Sequence, residues 1–164
     1  MKRSKEYRQL MRHYKKLMMK DARHASKDPF DYGAGLQVFV DHLYFMRDYY
    51  KLDENVWGAE EEGRPTRLQM LNVILAKYED WMHCEDRYYV FLSKDEYQRI
   101  PELVRSGFHL QELPDAAGTM MGDAKLLTRY ESREENHRRF AEDYDRCRRR
   151  FFGSLAEYIE FLWD

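Results

Sequence analysis

The sequence predicts a mainly α protein, a single-domain helical bundle with a long C-terminal helix. Two observations predict it: helix breakers are sparse, with four Pro and eight Gly in 164 residues, and apolar residues recur at three- and four-residue spacing over long stretches. A third excludes disorder. Hydrophobic residues make up 43% and aromatic residues 15% of the chain, whereas disordered segments are poor in both.

The first helix is predicted over 4–24, where Tyr7, Leu10, Met11, Tyr14, Leu17 and Met18 form one stripe and basic residues fill the remaining circumference. Asp28-Pro29 supplies a cap and a first-turn proline for a second helix over 30–50. That helix carries Leu36, Phe39, Val40, Leu43, Met46 and Tyr50 on one face, with Val38, Tyr44, Phe45 and Tyr49 elsewhere. A loop with Gly58, Gly63 and Pro65 follows, and Thr66 is the predicted cap of a third helix over 66–83.

Residues 84–118 read as irregular, broken by Pro101, Gly107, Pro114 and Gly118. Ser93 and Glu96 have capping-box spacing, and a small β-hairpin in 85–115, pairing 88–92 with 108–113, is open to the chain. The last helix is predicted over 119–163. Leu126, Tyr130, Arg133, His137, Phe140, Tyr144, Cys147 and Phe151 form a heptad seam, extended after a stutter by Leu155, Tyr158 and Leu162. Its apolar second half leaves homo-oligomerisation open. One domain, 1–164, is expected.

No apolar run is long enough to span a bilayer, and the basic start leads into charge rather than an apolar signal core. A cytoplasmic protein without membrane association is therefore expected. Cys84 and Cys147 have no metal-ligand spacing and no disulfide framework, so free thiols are expected. Phosphate-loop, dinucleotide, nucleophile-elbow and zinc-protease signatures are all absent. Neither a catalytic residue nor a cofactor is expected.

Charge is polarised. Residues 1–27 hold ten Lys/Arg against Glu6 and Asp21, while 28–65 hold nine Asp/Glu against three basic residues. The acidic loop, Asp53, Glu54, Trp57, Glu60, Glu61 and Glu62, combines negative charge with an aromatic anchor and is the leading candidate for a partner-binding surface. The alternative is nucleic-acid binding through Arg8, Arg12, Lys15, Lys16, Lys20 and Arg23, with Arg148 and Arg149 beside Phe151-Phe152. Glu142, Asp143 and Asp145, one turn earlier, are placed to neutralise those C-terminal arginines.

A second alternative is a helical di-metal enzyme. Asp21-x-x-His24, Asp80-x-x-His83 and Glu134-x-x-His137 have the spacing that places a carboxylate and an imidazole on one helix face. His42, beside Asp41 in the second helix, has the context of a buried histidine satisfied by a carboxylate.

Two stretches carry a resemblance. Asp28-Pro29-Phe30-Asp31-Tyr32-Gly33, with Phe45-Met46-Arg47-Asp48-Tyr49-Tyr50 and Glu54-Asn55-Val56-Trp57, and the closing Tyr158-Ile159-Glu160-Phe161-Leu162-Trp163-Asp164, resemble small accessory proteins of tailed bacteriophages and prophages. The resemblance implies a non-catalytic product that occupies a surface of a host or defence macromolecule, such as a nuclease or Cas effector, in the manner of anti-CRISPR inhibitors. It implies no catalytic residues.

Overall fold

The computed structural model describes residues 5–25, 32–52, 65–111 and 124–163. Five helices and a three-stranded antiparallel sheet lie among them, in the order α1 (Lys5–Ala25), α2 (Tyr32–Leu52), α3 (Arg67–Met82), β1 (Tyr89–Leu92), α4 (Ile100–Arg105), β2 (His109–Gln111), β3 (Lys125–Thr128) and α5 (Arg133–Trp163). The fold is mainly α. Among the described residues no helix is long and apolar enough to cross a membrane.

The chain forms two compact units, one of residues 1–76 with 153–164 and one of residues 77–152. In the first, α1 packs on α2 through aromatic edges. Tyr14 meets Phe45 with ring centroids 4.9 Å apart, and Tyr7 meets Tyr49 at 5.8 Å. Val40 and Leu43 of α2 and Met70, Leu71, Ile74 and Leu75 of α3 are buried, the apolar periodicity having put them on inward faces. Thr66 caps α3 as its sequence predicts: its Oγ1 accepts the Gln69 N–H at 3.2 Å, and Gln69 Oε1 accepts the Thr66 N–H at 2.8 Å. The Asp28–Pro29 start predicted for α2 lies outside the described residues.

The buried phenol of Tyr14 donates to Asp48 Oδ2 at 3.2 Å. Burial first, then the Asp48 charge and the hydrogen bond, push it from 10.0 up to about 12. The folded chain thus holds this proton more tightly than the unfolded one does. The resulting stabilisation is complete below pH 10.0 and is lost as pH rises through about 12. The stability advantage of wild type over Tyr14→Phe, measured by urea unfolding, should shrink steadily across that window.

In the second unit the sheet order is β1-β3-β2, with β3 central. Tyr89 and His109 both stand opposite Thr128, and Phe91 and Gln111 both stand opposite Leu126. Two expectations are corrected here. Both segments of the expected hairpin have strand structure, but they pair with β3 and not with each other. The last helix begins at Arg133 rather than near 119, because Lys125–Thr128 is that central strand. Leu126, which fits the head of a heptad seam, is buried in the sheet instead, as is Leu127. Ser132 starts α5: its Oγ accepts the Glu135 N–H at 3.3 Å and its carbonyl accepts the Asn136 N–H at 2.9 Å.

The capping-box expectation holds at Ser93, whose N–H donates to Glu96 Oε2 at 3.1 Å, and a 3-10 turn over Lys94–Arg99 leads into α4. Gly107 closes α4 with φ 92°, a left-handed conformation that favours glycine. Phe108 N–H reaches the Leu103 carbonyl and Gly107 N–H the Val104 carbonyl, both at 3.0 Å, which is a Schellman termination.

Candidate functional site

The acidic loop, Asp53 to Glu62 with Trp57, lies outside the described residues. The alternative basic set divides between the units. On α1, Arg8, Arg12, Lys15, Lys16, Lys20 and Arg23 are all exposed. At about 100° per residue they fall within an arc of roughly 140°. They form one continuous basic face, whereas the sequence reading had spread them around the helix. Among the described residues, Arg8, Arg12, Lys15, Lys16 and Lys20 form no ion pair.

Beside that face the apolar stripe of α1 is only partly covered. Tyr14 is buried, while Met11 and Met18 each remain 38% exposed. They sit at the margin nearest Lys15, seven residues apart and so nearly in line along the helix. With Tyr14, His42 and Phe45 they line an open groove of about 400 Å³ between α1 and α2, and Arg12 and Lys15 stand on its rim. Its floor offers flexible thioethers and aromatic faces, which adapt to varied apolar side chains, while the rim offers positive charge.

His42 faces this groove, with its ring 6.0 Å from that of Phe45. The neighbouring Asp41 accepts from Gln37 Nε2 at 2.9 Å. Arg148 and Arg149 belong to the other unit and differ from the α1 cations. Arg148 donates to Asp145 Oδ1 at 2.7 Å, and Arg149 pairs with the same carboxylate. Upstream, Arg138 and Arg139 share Glu135 at 2.7 and 2.8 Å. Arg148 and Arg149 thus share one carboxylate of their own helix, which offsets part of their charge.

The described residues do not assemble the di-metal pattern. His83 is exposed and holds Asp86 at 3.0 Å rather than turning to Asp80, and exposed His137 reaches the Tyr89 hydroxyl at 3.4 Å. The side chains of Asp21 and His24 lie outside the described residues.

A cluster missed by the sequence reading is present in the second unit. Cys84 and Cys147, 63 positions apart in the chain, are both buried and both free. The Cys84 thiol donates to Asp143 Oδ2 at 3.6 Å, and the Cys147 thiol donates to Asp80 Oδ2 at 3.3 Å. Arg87 binds Asp80 at 3.0 Å and Asp143 at 3.6 Å, and donates to Cys147 Sγ at 3.3 Å. Tyr88 Oη donates to Asp143 Oδ2 at 3.2 Å, and Arg146 pairs with the other Asp143 oxygen.

Burial works against the Asp143 charge, but Arg87, the Tyr88 hydroxyl and Arg146 outweigh it and hold the carboxyl below the usual range. Burial pushes the Cys84 thiol up to about 11 and raises Cys147 as well. At neutral pH both are therefore thiols, unlike the exposed thiolates that act as nucleophiles. One signal in the sequence marks this cluster. Asp80-x-x-x-Cys84 and Asp143-x-x-x-Cys147 repeat one interval, which puts acid and thiol on one face of α5 in the second case, while Cys84 lies just past the end of α3 in the first.

Comparison with protein-family models, with curated proteins and with solved structures gives no match.

Proposed function

We propose that the protein is a non-catalytic accessory protein that acts by occupying the surface of another macromolecule, and that α1 with its groove is the working surface. The favoured occupant is an acidic, amphipathic segment of a protein partner. One observation carries the reading: Met11 and Met18 stay exposed beside Tyr14 and Phe45 under a rim of Arg12 and Lys15. Apolar side chains of a partner would fill the groove, while its acids meet the rim; apolar patches with polar margins are typical of docking sites. The phage-accessory resemblance directs attention to host and defence proteins, and an inhibitory, anti-CRISPR-like action is the form such occupancy would take. The reading rests on α1, and the acidic loop lies outside the described residues.

Reversing two rim charges, Arg12→Glu with Lys15→Glu, removes two favourable pairs of about 0.7 kcal/mol each. Partner affinity should fall about tenfold or more, with the melting temperature unchanged because both side chains are exposed. Affinity capture from nuclease-treated host lysate checks this. A protein retained by wild type and lost by the double variant supports the reading, and identical capture by both ends it.

The continuous basic arc of α1 favours a second reading, nucleic-acid binding. A labelled single strand should then bind with affinity falling steeply as salt rises. An absence of binding at low salt would remove it.

A further inference from the structure

We propose that Cys84, Cys147 and Asp143 form a binding site for a thiophilic divalent cation of the zinc class. Among the described residues they are the one group of three His, Cys, Asp or Glu side chains whose ligand atoms all lie within 4.8 Å of one another, and all three are buried. Around tetrahedral zinc, sulfur at about 2.3 Å and oxygen at about 2.1 Å place neighbouring ligand atoms about 3.5–3.8 Å apart. Asp143 places Oδ2 3.6 Å from Cys84 Sγ and its other oxygen, Oδ1, 3.9 Å from Cys147 Sγ, each close to that value, so a small turn of the carboxylate would bring one oxygen to both sulfurs. The sulfurs need approach each other by at most about 1 Å, within reach of χ1 rotation. Asp80, whose Oδ2 lies 3.3 Å from Cys147 Sγ, or a water would complete four ligands.

The charge of the pocket suits the exchange. Asp80 and Asp143 are at present balanced by Arg87 and Arg146. A divalent ion that displaces one proton from each thiol to solvent leaves this balance unaltered. The Arg87 side chain is 44% exposed, so it stands at the mouth of the cluster and not in its interior. From there its N–H groups, already directed at Cys147 Sγ, would donate to metal-bound thiolate as outer-shell support. Thiolates and one carboxylate select a soft or borderline cation over magnesium or calcium, which take oxygen ligands. The site is independent of the α1 surface, and its failure would leave that reading untouched.

The test is a cobalt(II) titration of the full chain, reduced and stripped with a chelator. One equivalent should bring up thiolate-to-cobalt charge transfer in the near ultraviolet and tetrahedral bands in the visible. Zinc should abolish both and raise the melting temperature as its concentration rises. Cys147→Ser and Cys84→Ser should each lose part of the charge transfer and weaken binding at least as much as outer-shell losses do, about 10- to 100-fold. The wild-type titration stands without either variant, should one fail to fold. Absence of charge transfer in excess cobalt, or equal binding by the double serine variant, would overturn the site and leave the cluster a hydrogen-bonded hub.

Discussion

Replacing Phe151 with alanine is expected to destabilise the protein by about 3–5 kcal/mol, the range for emptying a buried aromatic site. Phe151 is fully buried. Its ring stacks on Trp81 at 5.8 Å with 28° between planes, meets Tyr78 at 5.4 Å and lies 5.0 Å from Phe152. Each such pair contributes about 0.5–1.5 kcal/mol beyond the area it hides. Alanine forms helix better than phenylalanine, but that gain is about 0.5 kcal/mol and does not offset the cavity. The adjacent Phe152 is the internal control, being 45% exposed; its alanine variant should cost far less. Denaturant unfolding of both variants decides the matter. A Phe151→Ala midpoint no lower than that of Phe152→Ala would show that this aromatic cluster is not the centre of the second unit.

Phe151 was legible in the sequence because local periodicity placed it. The same holds for Leu71, Ile74, Leu75 and Tyr78 on α3 and for Val40 and Leu43 on α2, which the three- and four-residue spacing turned inward. Thr66 and Ser93 were legible for a related reason, since a cap and its partner lie three residues apart. The sheet was not. β3 pairs with β1 at Phe91↔Leu126 and with β2 at Gln111↔Leu126, and pairing over such separations leaves no periodic trace in four residues. Leu126 fits a helical seam as well as a strand, and tertiary pairing decided between them.

The polar part of α5 was misassigned by the same local logic. The heptad seam placed Arg133 and His137 inward, yet both are exposed, and Asn136 and Asp143 are buried in their stead. A polar residue takes an inward position only where distant groups satisfy it. For Asp143 those groups are Arg87, Tyr88 and Cys84. Spacing on one helix carries no information about them, which is also why two cysteines without a metal-ligand interval were read as unrelated. The groove of α1 was half legible: periodicity puts Met11 and Met18 on the apolar stripe of α1, yet each remains 38% exposed.

Asn136 tests this account of buried polarity most directly. It is fully buried; its Oδ1 accepts the Tyr130 N–H and its Nδ2 donates to the Tyr88 carbonyl, both at 3.1 Å. Asn136→Ala leaves a void and takes the side-chain acceptor from the Tyr130 N–H. An orphaned polar group alone costs about 1–3 kcal/mol, so a loss of about 2–4 kcal/mol is expected once the void is included. The Tyr88 carbonyl is less affected, since it also accepts the Arg129 N–H at 3.0 Å. Asn136→Asp separates hydrogen bonding from packing. It keeps size and one acceptor but sets a second carboxylate oxygen against that carbonyl in a buried place. Its folded carboxyl should therefore hold a proton more tightly than in the unfolded chain. Stability of Asn136→Asp should accordingly rise as pH falls from 7 toward 4, while that of Asn136→Ala shows no such recovery relative to wild type. Because the Tyr88 hydroxyl also holds Asp143, both variants should expose Cys84 and Cys147 to faster alkylation. Alkylation at the wild-type rate in a destabilised Asn136→Ala would show that the asparagine secures the sheet without ordering the thiol cluster.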